Sequence, residues 1–308
     1  MTDSYLTDEI MSLVGKKTNE RHGLVTANDI HKFCAAIDEP NPLYTDASAA
    51  RAAGYADVVA PPLFLATPTR PSPFRSGLLE DGQYDDAAPP GLGHLQTMLA
   101  GQSWELIRPV VAGERTIETF TNKSITERQG ATGNIVFIDK ESTITTLEGE
   151  VVERYVNTLI LRQPPPPLPP VSGGGATGAR ASGKPVTEMT EDGFIKHPDM
   201  ISLFMFSAAI WAVHRIHWDT PYAQSEGLPL PILPGWMLSS YLAQLAEMKA
   251  PAGQRLSRIN VRYKGVVHPG DSLTCTAAIT PAKPDFTLSI LNQKGQEVAA
   301  ADAAYAPA

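Results

Sequence analysis

Residues 163–185 read QPPPPLPPVSGGGATGARASGKP, and this stretch constrains the chain more than any other. A proline run favours extended polyproline II, and the Gly/Ser/Ala part is flexible, so neither can join a packed core. The chain therefore divides into 1–162, a linker at 163–185, and 186–308. Each flanking part has the size of an ordinary domain.

The two parts repeat each other. Residues 41–62, NPLYTDASAARAAGYADVVAPP, align without gaps on 214–235, HRIHWDTPYAQSEGLPLPILPG, at an offset of 173. Asp46 falls on Asp219, Ala50 on Ala223, Gly54 on Gly227 and Pro61 on Pro234. VVAGE at 110–114 then matches VHPGD at 267–271 at an offset of 157, so the first copy holds 16 more residues between the two matches. Residues 70–93, rich in Pro, Gly and Asp, can hold that excess as an inserted loop. An internal duplication is the economical reading.

Each copy has one coarse plan. In the second, residues 202–213 are apolar. Residues 235–249 then place Trp236, Leu238, Tyr241, Leu242, Leu245 and Met248 at helical spacing, with Pro234 and Gly235 marking the start. Strand-like runs follow at 255–267, 271–280 and 285–305. The first copy ends similarly, with runs near 101–111, 114–127, 134–148 and 150–162. A helix followed by antiparallel strands predicts an α+β fold in which a sheet wraps a helix, twice over.

Composition narrows the function classes. The 308 residues are 43% hydrophobic and 19% charged, enough for real cores. A net charge of -8 argues against a nucleic-acid binder or a polybasic membrane-surface protein. The two cysteines, Cys34 and Cys275, form no CxxC pair and read as buried small hydrophobes in a reducing compartment. The first residues, MTDSYLTDEIMSLVGKK, carry acids ahead of any apolar run and do not read as a signal peptide. The apolar stretch 200–213 is too short to span a bilayer. The expectation is a cytoplasmic protein with neither nucleic-acid nor membrane partners.

Three strings carry a resemblance in the second half: HRIHWD at 214–219, LPG at 233–235 and HPGD at 268–271. Three more lie in the first: DEPNPLYTD at 38–46, VVAPP at 58–62 and ELIRPVVAGE at 105–114. Together they resemble the MaoC-like hydratase/dehydratase superfamily. The pattern is similar to fused double-hot-dog members, the mesaconyl-type CoA hydratases among them. The resemblance implies a double hot-dog fold. It also implies addition or removal of water at the 2,3-double bond of an acyl thioester, carried on coenzyme A or acyl carrier protein. No metal or redox cofactor is implied, because no electrons move. The family pattern is Gly-Asp-x-Asn-Pro-Leu-His-x-Asp. Its first Asp and its His form the acid/base pair, and a glycine amide at the start of the central helix holds the thioester oxygen.

Carried onto the second half, the pattern makes His217 the acid/base, His214 its partner in place of the family Asn, and Gly235 the oxyanion donor. The first family Asp falls on Ala212, which cannot transfer a proton. Either the two histidines do the work, or another residue substitutes, Glu39 from the first half for example. In the first half the pattern falls on Glu39, Asn41 and Tyr44, and the glycine becomes Pro62, which has no N–H to donate. The first half is thus expected to be non-catalytic and to widen the room for the acyl group.

The residues alone leave alternatives. His214 and His217 share a face at helical spacing and could be a hydrogen-bonded structural pair or two metal ligands without an evident third. Asp219 caps the short helix 220–226 and, as the trailing family Asp, would border the substrate. Trp218 and Trp236 near the motif point to an apolar pocket or to core packing, as do Phe206 and Trp211. Arg258, Arg262 and Lys264 share one strand face, suited to coenzyme A phosphates, to an acidic carrier protein or simply to solvent. A homodimer is compatible with the fold. Re-purposing of the fold for thioesterase, isomerase or tailoring dehydratase chemistry stays open, as does a thioester-binding subunit without turnover.

Overall fold

A computed structural model describes residues 4–17, 20–84, 88–130, 133–169, 183–279 and 286–308. In the first half α1 (Asp8–Met11), β1 (Arg21–Leu24), α2 (Ala27–Ile37), α3 (Pro42–Thr45) and α4 (Ala47–Ala52) precede β2 (Gln96–Leu106), β3 (Arg115–Gly130), β4 (Gly133–Thr146) and β5 (Val151–Arg162). The second half opens with β6 (Thr187–Met189), β7 (Gly193–Lys196), α5 (Met200–Ala209), a 3-10 turn at Arg215–His217 and α6 (Thr220–Ser225). Then come α7 (Gly235–Met248), β8 (Gln254–Tyr263), β9 (Leu273–Ile279), β10 (Phe286–Leu291) and β11 (Glu297–Pro307).

Among the described residues eleven strands form one antiparallel sheet, ordered β1-β3-β4-β5-β2-β8-β11-β10-β9-β7-β6. This is the double hot-dog architecture. The halves join at β2 and β8, from Gly101 opposite Arg262 to Glu105 opposite Arg258. Gly101 sits at a bulge where a Cβ would lie 2.8 Å from the Val261 carbonyl oxygen, so only glycine lets the two strands close there.

The central helix α7 buries Trp236, Leu238, Tyr241, Leu242 and Leu245, as their spacing predicts, while Met248 at its end is 43% exposed. Beneath it β11 buries Ala299, Ala301 and Ala303, whose small side chains let the helix approach the sheet. Among the described residues the first half has no counterpart of this helix. After Pro61 the chain makes successive three-residue turns, with Phe64 N–H on Pro61 O, Thr67 N–H on Phe64 O and Arg70 N–H on Thr67 O.

The duplication extends to individual hydrogen bonds. Val59 N–H donates to Leu43 O at 2.9 Å, and Ile232 N–H to Ile216 O at 3.1 Å. Ala60 N–H donates to Val110 O at 2.8 Å, and Leu233 N–H to Val267 O at 2.9 Å. Gly54 and Gly227 both adopt positive φ, 95° and 76°, just after their short helices. Asp46 and Asp219 both cap those helices, Asp46 accepting from the Ser48 and Ala49 N–H groups and Asp219 from that of Tyr222. The indole N–H of Trp236 donates to the carbonyl of Leu63, its own counterpart at the 173 offset, 3.1 Å away.

Of the linker, residues 163–169 are described and are anchored: Leu168 N–H donates to Gln224 O at 2.9 Å, and Pro165 packs against Gly227. Residues 170–182 lie outside the described residues, as do 85–87 of the inserted loop. No helix is long and apolar enough to cross a membrane among the described residues. Cys34 and Cys275 are buried free thiols.

Candidate active site

The motif HRIHWD folds as an extended lead-in followed by one 3-10 turn, so His214 and His217 do not share a regular helix. Asp219 holds this turn in place. Its carboxylate accepts from Tyr222 N–H at 3.3 Å as the cap of α6 and pairs with Arg215 at 2.6 Å. The two histidine rings stand edge to face, centroids 6.0 Å apart.

His217 Nδ1 lies 2.8 Å from the carbonyl oxygen of Ile232. A carbonyl only accepts, so Nδ1 carries the proton and Nε2 the lone pair. Desolvation lowers the His217 pKa to about 4, outweighing the Ile232 hydrogen bond, and nearby His214 and Arg70 lower it further. At neutral pH this is an uncharged imidazole with a fixed tautomer, the form a general base needs.

His214 finds the carboxylate that Ala212 lacks. Asp81, at the tip of the inserted loop, puts Oδ2 3.6 Å from His214 Nε2. Gln83 Nε2 donates to the same oxygen at 2.9 Å, and the Tyr222 hydroxyl donates to it at 3.3 Å. His214 Nε2 also faces the Tyr222 hydroxyl at 3.4 Å and the Gln83 amide nitrogen at 3.5 Å. Burial lowers the His214 pKa although Asp81 opposes the shift. The loop also docks through its backbone, Arg215 N–H donating to Asp81 O at 2.8 Å. Gly82 permits that docking: its φ is +85°, and a Cβ would run into the Val213 carbonyl oxygen.

A cleft of about 280 Å³ runs from His214 and His217 to Gly235 at the start of α7. It adjoins a second space of about 300 Å³ that also borders both histidines and extends to Glu118 and Tyr155. The first N–H groups of a helix have no intrahelical acceptor and carry its positive dipole end, so Gly235 offers an anion-stabilising amide. A Cβ on Gly235 would sit 3.0 Å from the Tyr263 ring and 3.1 Å from Leu99, which keeps the residue small. Alongside, the Tyr263 hydroxyl donates to Gln102 Oε1 at 2.6 Å and Gln102 Nε2 donates to Asn157 Oδ1 at 2.7 Å, a polar wall drawn from both halves. Arg70 borders both spaces, its guanidinium 5.6 Å from the Trp236 ring and 5.7 Å from the Tyr84 ring.

Of the residues singled out in the sequence, His214, His217, Gly235 and Trp236 meet at this cleft. Asp219 acts behind it as a cap. Trp218 is 52% exposed with its N–H on Val213 O, and Phe206 is in the core. Arg262 on the outer face of β8 and Lys264 just past its end pair with Asp302 and Glu297, and Arg258 shares that exposed face. Glu39 is not the substitute carboxylate. It borders a separate cavity with Asn41 and Glu247, and its Oε1 accepts from Asn41 N–H at 2.9 Å. Asp81, Gln83, Tyr222, Arg70 and Tyr263 carry no motif, and sequence alone passes over them. The one available signal was that the insertion holds the excess polar residues.

Residues 12–154 match the family model described as FAS1-like, dehydratase domain region, and 200–300 match the MaoC like domain. A UPF0336 protein of Streptomyces avermitilis is 35% identical over 133 residues, 43% of this chain and 81% of that protein. Among solved structures, a MaoC-like dehydratase from Phytophthora capsici covers 98% of both chains at a TM-score of 0.69 and 14% identity. A Mycobacterium tuberculosis protein described as having a double hotdog fold covers 95% of this chain and 96% of its own at a TM-score of 0.59 and 10% identity. With both halves matched by dehydratase models on this fold, the chain belongs to the MaoC-like double hot-dog dehydratases.

Proposed function

We propose that the protein adds water to, or removes it from, the 2,3-double bond of an acyl thioester, and that His217 is its acid/base. The observation that carries this is the fixed His217 tautomer, with Nδ1–H on Ile232 O, in one cleft with the Gly235 amide. In the hydration direction Nε2 takes a proton from water as the oxygen bonds to C3. The electron pair of the double bond moves through C2 onto the thioester oxygen, where the helix N-terminus stabilises it. The imidazolium then returns its proton to C2, so the atoms of one water are added and the base is restored. Dehydration is the same path reversed. His214 orients the water, and Asp81 positions His214. The carrier is coenzyme A or acyl carrier protein. The outward cations of β8 play no part in this reading, because they face away from the cleft.

The first half does not turn over substrate in this scheme. Tyr44 stands where His217 stands in the second half, and Pro62 has no amide N–H to offer where Gly235 does.

The test is loss of enoyl-thioester ultraviolet absorbance with short, branched and long acyl-CoA substrates, for the wild type and His217→Ala. Loss with the wild type that vanishes in His217→Ala supports the assignment. Tight thioester binding without turnover for any acyl chain would reject it in favour of a binding subunit.

A further inference from the structure

The duplication has left a second cleft in the first half, equivalent to the one at His217. It has a volume of about 150 Å³ and lies between the Pro61–Pro62 turn and strands β2 and β8. Tyr44, Pro62 and Leu106 line it where His217, Gly235 and Tyr263 line the other, at the 173 and 157 offsets. The contribution across the seam is mirrored too: Leu256 of the second half enters this cleft as Leu99 of the first enters its partner. What differs is the polar group. Leu106 pairs across the strands with Glu153, which borders the cleft, whereas Tyr263 pairs with Ala299, so the first half has a carboxyl at the register position where the second has a methyl.

Glu153 is 2% exposed, borders the cleft, and its Oε1 has no hydrogen-bond partner among the described residues. A buried polar atom left unpaired is costly, and a ligand that pairs with it recovers that cost. The lining around it is mainly apolar, with Val59, Leu65, Leu106 and Leu256. Burial, with Glu118 adding to it, pushes the Glu153 carboxyl well above the usual range and so favours its protonated form, which can donate. Its natural partner is a carbonyl oxygen on a small apolar body.

We propose that this cleft is a second binding site, for a short neutral acyl compound whose carbonyl pairs with Glu153. Without an imidazole at Tyr44 or an amide N–H at Pro62 the ligand is held and not converted. The inference does not need the catalytic cleft to perform hydration; only the choice of a thioester probe borrows from that reading.

Calorimetric titration of the full chain with butyryl-N-acetylcysteamine, a short saturated thioester, and with butyramide tests it. Two equivalents of thioester are expected for the wild type and for His217→Ala. In Glu153→Leu the affinity of one site should fall at least tenfold, with Glu153→Gln, which keeps a donor, retaining it. Butyramide should occupy the Glu153 site as well, because the carbonyl and not the sulfur is recognised. Thermal melts confirm that each variant folds, and soaked crystals locate the ligand. Thioester and butyramide binding that is unchanged in number and affinity in a folded Glu153→Leu overturns the proposal, whether the wild type binds one equivalent or two. Neither result depends on turnover, so failure of the hydratase assignment is read separately.

Discussion

Asp81 and His214 meet at 3.6 Å across the boundary between the two halves. The carboxylate rides on a loop that only the first half possesses, and the histidine belongs to the motif of the second. The carboxylate missing at Ala212 thus has a counterpart from another part of the chain. The arrangement is a relay and not a simple replacement, since Gln83, Tyr222 and His214 all converge on one carboxylate. Each partner fixes the orientation of the next.

Removing the charge while keeping the shape tests the relay. Asp81→Asn should lower kcat roughly a hundredfold, about 2.7 kcal/mol of barrier. KM should change little, because Asp81 sits behind His214 and not against substrate. Asp81 also holds the His214 pKa up against burial. The acidic limb of the pH–rate profile should therefore move to lower pH in the variant, a change that a merely structural role would not produce.

Gly82 carries the loop to its place. Gly82→Ala meets both a left-handed φ and the Val213 carbonyl, so the loop must back away from His214. The expected result is an activity loss similar to that of Asp81→Asn, with a global destabilisation of about 1 kcal/mol. The double variant should be no slower than Asp81→Asn alone, because both act through one contact. Additive losses would show that Gly82 matters for something else.

These residues explain what the sequence could and could not convey. The break at 163–185, the two offsets and the α7 stripe are local patterns, and the hydrogen bonds at Val59 and Ile232 repeat as the alignment requires. His217 and Gly235 were legible because a motif fixes them by spacing. Asp81 was not. It is one acid among several in a loop, and its partner lies far along the chain, so only the folded path brings them together. Glu39, in motif register with Ala212, pointed to the wrong cavity for the same reason: register within a duplicate says nothing about which half a side chain serves. The absence of a helix after Pro62 was not legible: the repeat predicted a central helix in each half, and the first half makes only successive turns there.

The His217 tautomer sets the pH behaviour. With a pKa lowered to about 4, the base is neutral across the physiological range. The profile of kcat/KM should stay flat from about pH 8 to 6 and fall only toward pH 4, where an ordinary histidine near 6.5 would already bend it. Stability follows with the same sign. The unfolded imidazole takes up its proton first, so His217 contributes stability above pH 6.5 that is lost as pH falls toward 4. His217→Gln should flatten the decline of Tm over that window. An unchanged slope would mean the ring is not desolvated in solution.

Gly235 separates sterics from hydrogen bonding. Gly235→Ala adds a Cβ against Tyr263 and Leu99 but keeps the amide N–H; Gly235→Pro adds similar bulk and removes it. Proline is accepted at the first position of a helix, so α7 should survive. If the amide holds the thioester oxygen, the proline variant should lose about 100- to 1000-fold in kcat beyond the alanine variant. Equal losses in the two would reduce Gly235 to a packing residue.

Glu153 gives the opposite sign from His217. Its carboxyl is buried without a partner for Oε1, and its pKa is raised well above 4.5, with burial the larger cause and Glu118 the second. Below the unfolded value near 4.5 both states hold the proton, and the group costs only its unpaired oxygen. As pH rises past that value the unfolded chain releases the proton and the folded chain does not, so stability drains away toward the folded pKa. Glu153→Gln cannot ionise in either state. The variant should therefore be more stable than the wild type at pH 7, and its advantage should shrink as pH is lowered to 4.5. Denaturant titrations at the two pH values check this, with m-values confirming that the unfolded state is unchanged. A difference that does not vary with pH would mean that Glu153 is ionised in the fold, and the neutral donor assigned to the second cleft would be lost with it.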